Sequence, residues 1–124
     1  MKDGKYVILC IDDDPDILAT LKSVLESNGY LMEGAYSADE GVRRYKAVSP
    51  DFILVDLMME SIDAGKRFAR ELMALGNKAP VFMLSAVGDT LVTNVDYTEL
   101  GLSGVFQKPV NAKTLVTTLK TKLR

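Results

Sequence analysis

Nearly continuous apolar runs at residues 6–11, 52–55 and 81–84 punctuate the chain. They are too short for core helices and have the composition of strands covered on both faces of a parallel sheet. Between the first two, residues 15–28 place Ile17, Leu18, Leu21, Val24 and Leu25 on one helical face. Asp14 stands at the N-cap, Pro15 at the first helical position and Gly29 at the stop. Residues 30–35 form a weaker strand containing Gly34, and Ser37 with Glu40 has capping-box spacing for a helix to about residue 48, ended by Pro50. A further helix is expected over 64–75, with Phe68, Leu72 and Leu75 inward and Gly76 at its end. Residues 89–100 read as a helix despite Thr90, Val92, Thr93, Val95, Tyr97 and Thr98, which are poor helix formers. A short strand at 105–107 precedes Pro109. Asn111 then caps a last helix with Leu115, Val116, Leu119 and Leu123 inward and Lys120, Lys122 and Arg124 near its negative end.

Five strands alternating with five helices predict an α/β architecture, a doubly wound five-stranded parallel sheet, because each right-handed crossover must cover a sheet face. With 124 residues, 48% of them apolar, the chain fits a single domain spanning 1–124. A formal charge of −2 gives no basic excess for a nucleic-acid backbone, so no nucleic-acid partner is expected. The N-terminal apolar run ends in Asp12, Asp13 and Asp14, which excludes a membrane-spanning reading of that run. Cys10 is the only cysteine and lies inside an apolar run, so it reads as a buried small hydrophobe suited to a reducing cytoplasm. Histidine is absent, which leaves carboxylates, hydroxyls and lysines to carry any chemistry.

The polar residues that interrupt the strands all fall at the same end. Asp12 and Asp13 follow the first strand, Asp56 the third, Ser85 the fourth and Lys108 the fifth. In a sheet of this kind ligands bind outside the carboxyl ends of the strands. Each residue singly has an ordinary surface explanation, but Asp56 sits between Phe52–Val55 and Leu57, Met58 and Met59, where a carboxylate needs a partner. Should the three acids converge, two carboxylates about 4 Å apart repel by roughly 4 kcal/mol at an effective dielectric near 20. A cation relieves that repulsion, and oxygen-only ligands on a solvent-facing rim suit Mg²⁺ better than Zn²⁺. A divalent cation, a hydroxyl and an ammonium together neutralise a phosphoryl group in transit, and a carboxylate can itself be the nucleophile.

At this point the chain resembles the receiver domains of two-component response regulators. The resemblance rests on Ile-Asp-Asp-Asp-Pro-Asp at 11–16, Leu-Val-Asp-Leu-Met-Met at 54–59, Leu-Ser-Ala at 84–86 and Lys-Pro at 108–109, and it spans nearly the whole sequence. It implies a flavodoxin-like fold with strand order 2-1-3-4-5 and Asp56 as phosphoacceptor. It implies Mg²⁺ held by Asp13 directly, by Asp12 through water, by Asp56 and by the Met58 backbone carbonyl. Ser85 and Lys108 would contact phosphoryl oxygens, and a cis peptide bond would precede Pro109. The implied donor is a sensor histidine kinase or a phosphotransfer protein. The implied output is a homodimer or an effector, engaged through the helix at 89–100, the last strand and the last helix.

Three positions depart from the family pattern and bear on output: Glu60, Ala64 and Val105. Val105 stands where an aromatic residue usually reports the state of the hydroxyl, while Phe106 beside it should point to the other face of the sheet. Met58 and Val87 are apolar, so neither can orient an attacking water, and a long-lived acyl phosphate is expected. Two alternatives compete. One is a pseudo-receiver that signals without phosphorylation. The other is a phosphatase with an aspartyl nucleophile, which would need an acid where Met58 stands.

Overall fold

The computed structural model describes residues 2–56, 64–86 and 101–123. Five strands, β1 (Val7–Ile11), β2 (Leu31–Ala35), β3 (Phe52–Asp56), β4 (Val81–Ala86) and β5 (Gly104–Lys108), form one sheet in the order β2-β1-β3-β4-β5 with every pair parallel. The described helices are α1 (Pro15–Ser27), α2 (Ala38–Val48), α3 (Ala64–Ala74) and α4 (Ala112–Lys122). The helix expected at 89–100 lies outside the described residues.

Period-two alternation divides the apolar runs between two cores. Leu9, Ile11, Ile53, Val55, Val81 and Met83 pack with Val42 of α2 and Phe68, Ala69 and Leu72 of α3. Ile8, Cys10, Phe52, Leu54, Phe82, Leu84 and Phe106 pack with Leu18, Leu21 and Leu25 of α1 and Leu115 and Leu119 of α4. Helices thus cover both faces, as strands apolar on both sides require.

Local chemistry sets the element ends. The side chain of Asp14 accepts from the backbone N–H of Asp16 at 2.9 Å, and Ser37 Oγ accepts from that of Glu40 at 3.1 Å. Glu40 reaches back to the N–H of Tyr36 at 2.8 Å, one residue before the cap. Asn111 caps α4 by accepting from Thr114 at 3.0 Å. Gly41 of α2 fills a different need, since a Cβ there would lie 2.9 Å from Phe68 Cε1 and 3.1 Å from Ile11.

Two side chains differ from their expected placement. Leu75 is 44% exposed, because α3 ends at Ala74 and Leu75 already belongs to the turn closed by Gly76, off the inward face. Val116 is only half-buried, at the margin of the stripe carried by Leu115 and Leu119.

Candidate functional site

Strand alternation builds the site. Cys10, Leu54 and Phe106 face the core beneath α1 and α4, so Asp12, Asp56 and Lys108, two residues further along their chains, follow on that same face at the carboxyl edge. Asp12 continues β1 by one residue, donating its backbone N–H to the Ala35 carbonyl at 3.0 Å. Lys108 Nζ lies 3.0 Å from Asp12 Oδ2 and 3.0 Å from Asp56 Oδ1. Ser85 follows Met83 and belongs to the opposite face, so β4 places a hydroxyl across the edge from the ammonium.

The sequence suggested a solvent-facing rim, and in this the structure differs. Asp12 is fully buried, Asp56 is 5% exposed and Ser85 1%, and only Asp13 of the three acids is exposed. A run of acids implies exposure, whereas the packing around the strand ends buries two of these three.

Asp12 Oδ1 accepts from the backbone N–H of Asp14 at 2.9 Å, which ties the start of α1 to the site. Its other oxygen faces the Lys108 ammonium as a charge contact but makes no aligned hydrogen bond among the described residues. Burial alone would pull the Lys108 pKa down, but the contacts and charges of Asp12 and Asp56 outweigh it and hold the group above its ordinary value. One ammonium therefore pairs with two of three clustered carboxylates, Asp12 and Asp56, and all three acids can offer an oxygen within 4.8 Å of the others. Two excess negative charges and an under-satisfied buried carboxylate oxygen make a site that a small divalent cation can bridge.

Asp12, Asp13, Asp56 and Lys108 are brought together, and Ser85 stands at the end of the neighbouring strand. Met58, Glu60 and Val87 lie outside the described residues. Val105 is half-buried against the core beneath α2 and α3, while Phe106 belongs to the other core, as alternation predicted. The Lys108–Pro109 peptide bond is cis.

Sequence reasoning missed two features. It reserved Lys108 for an incoming group and did not anticipate its pairing with both Asp12 and Asp56. It also missed an apolar groove of about 370 Å³ beside Lys108, lined by Ile17, Leu21 and Val24 of α1 and by Val110 and Leu115. The available signal was the width of the α1 stripe, which exceeds what the sheet covers and leaves Ile17 and Val24 half-buried.

Comparison with known proteins agrees with this arrangement. Residues 8–120 match the model of the response regulator receiver domain. The response regulator MprA of Mycobacterium ulcerans is 29% identical over 117 residues, covering 94% of this chain and 50% of that protein. The chain thus spans about half the length of the curated relatives it matches. A response regulator receiver domain protein from Clostridium thermocellum superimposes with a TM-score of 0.83 at 28% identity, covering 95% of this chain and 94% of that one. The chemotaxis response regulator CheY4 of Vibrio cholerae, at 24% identity, shares the fold with a TM-score of 0.84 over 97% of this chain and all of that one. With its 2-1-3-4-5 sheet and an acid–lysine cluster at the strand ends, this chain belongs to the response regulator receiver domains of two-component systems.

Proposed function

We propose that the chain, as one receiver unit spanning 1–124, takes a phosphoryl group onto Asp56 from a sensor histidine kinase or phosphotransfer protein and changes its partner-binding surface in response. The observation that carries this reading is the buried Asp56 carboxylate, 3.0 Å from the Lys108 ammonium and grouped with Asp12 and Asp13. The oxygen-only donor set, the excess negative charge and the under-satisfied Asp12 Oδ2 suit Mg²⁺, which Asp12, Asp13 and Asp56 would hold with the Met58 carbonyl. Bound there, the ion neutralises charge on the phosphoryl oxygens.

An Asp56 oxygen forms the new P–O bond as the P–N bond of a phosphohistidine donor breaks. The electron pair of that bond returns to the donor's imidazole nitrogen. Lys108 gives up part of its pairing with Asp56 to a phosphoryl oxygen, so its charge stays compensated throughout. Ser85 hydrogen-bonds another phosphoryl oxygen from the opposite face and carries the state of the site into β4. Output passes through residues 89–100, β5 and α4 to a second copy or an effector. The intact ion pairs of Lys108 favour this reading over a receiver that has lost its chemistry.

The test is to incubate the protein with acetyl phosphate and follow its intact mass. One phosphoryl group should add in the presence of Mg²⁺ and none after chelation. Addition undiminished by the chelator would contradict the metal's part in the reaction.

A further inference from the structure

Among the described residues β5 is an edge strand with Lys108 at its end, so β4 alone holds it from within the sheet. Something else must keep its ammonium within 3.0 Å of two carboxylates. The face that carries Asp12, Asp56 and Lys108 also carries three stacked aromatic rings. Phe52 and Phe82 have ring centroids 5.1 Å apart with 20° between planes, and Phe82 and Phe106 repeat the 5.1 Å spacing at 26°. The stack climbs diagonally. Phe52 lies four residues below Asp56 on β3, Phe82 pairs in register with Leu54 and Gly104, and Phe106 lies level with Leu84 and Asp56.

The top ring is thus the neighbour of Lys108 on the same strand face, and the bottom ring is on the strand that carries Asp56. Gly104 makes room for the middle ring, since a Cβ there would stand 2.7 Å from Phe82 Cε2. All three rings are buried, at 0%, 7% and 7% exposure.

We propose that Phe106, backed by Phe82, is a positioning residue for Lys108: the ring stack fixes the spacing of β5 from β3 and so sets the reach of the ammonium to Asp56. Branched aliphatic side chains would fill the same core but would not fix that spacing, because rings stacked at 5 Å resist lateral slip where aliphatic contacts are non-directional. The inference rests on Asp56 as acceptor, and the experiment separates the two claims.

The rate of phosphoryl incorporation from acetyl phosphate is measured in Phe106→Leu, in Lys108→Met and in the double variant, with circular dichroism confirming the fold and Mg²⁺ affinity measured by calorimetry. Misplacing a charged group by a fraction of an ångström to an ångström costs on the order of tenfold or more. We expect Phe106→Leu to slow incorporation about tenfold in the parent and less than about twofold in the Lys108→Met background, with Mg²⁺ affinity unchanged. If Phe106→Leu does not fold, Gly104→Ala, which displaces the Phe82 ring from outside the stack, takes its place with the same expectation. Equal slowing in both backgrounds, or no slowing in the parent, overturns the positioning role. Asp56→Asn run alongside decides the acceptor separately. Loss of incorporation there leaves Asp56 standing whatever Phe106 does, whereas unchanged incorporation overturns the acceptor and the positioning role together.

Discussion

Adjacent acids at 12 and 13 have the same chemistry and different surroundings. Asp12 is fully buried, with one oxygen on the Asp14 backbone and the other on Lys108, whereas Asp13 is exposed. Asp13→Ala should therefore weaken Mg²⁺ binding while leaving metal-free stability within about 0.5 kcal/mol. Asp12→Ala should lose less metal affinity but destabilise the metal-free protein by about 1–3 kcal/mol, since it strands a backbone N–H and half of Lys108's pairing. Calorimetric titration and urea unfolding read the two quantities, and equal losses of affinity would contradict the division. Cys10 makes a simpler case: it is fully buried, and burial, with the Asp12 charge adding to it, pushes its thiol far above the ordinary range. It should resist iodoacetamide in the folded protein and react on unfolding. Rapid modification of the native protein would contradict that burial. Both acids and the cysteine were legible in the sequence, because they sit at or inside an apolar run whose period fixes their place. The burial of Asp12 was not legible, since it depends on elements far apart in sequence meeting at the strand ends, Lys108 of β5 among them.

At the level of elements, the strands and most helix ends could be read because capping side chains act within four residues of their targets. Asp14, Ser37 and Asn111 are such cases. The placement of Leu75 failed for the complementary reason: a one-residue difference in where α3 ends turns its side chain out of the stripe. Gly41 shows an element-to-element constraint that no local pattern encodes. Gly41→Ala gains about 1 kcal/mol of helix propensity, yet its Cβ must displace the buried Phe68 ring and Ile11, at a cost of about 1–3 kcal/mol. We expect a net loss of roughly 1 kcal/mol in urea unfolding, and a stabilised variant would contradict the close approach of α2 to β1 and α3. Val105 belongs to this scale too. A half-buried, β-branched side chain packed against the edge of the core that α2 and α3 cover has a stiff χ1 and little bulk to swing. Val105→Tyr should then alter self-association or partner binding, read by sedimentation of the phosphorylated and unphosphorylated forms, while phosphoryl incorporation continues. Identical sedimentation to the parent in both forms would remove position 105 from the output path.

Over the whole molecule, parallel strands on which α-helices lie to both sides leave one edge where polar chemistry can gather, and the chain puts its buried charges there. Among the described residues no helix is long and apolar enough to cross a membrane. The four motifs were enough to name the family because their separations are set by the lengths of the crossovers between strands. What they could not give was the double pairing of Lys108 or the aromatic stack behind it, which arise from side chains far apart in sequence and adjacent only once the strand order is known. The proposed chemistry turns on one residue, Asp56. Intact and peptide mass spectrometry of the parent and of Asp56→Asn, each incubated with acetyl phosphate and Mg²⁺, tests it most directly. One phosphoryl group is expected on the peptide containing Asp56 in the parent and none on the variant; equal addition to both proteins would rule out Asp56 as the acceptor.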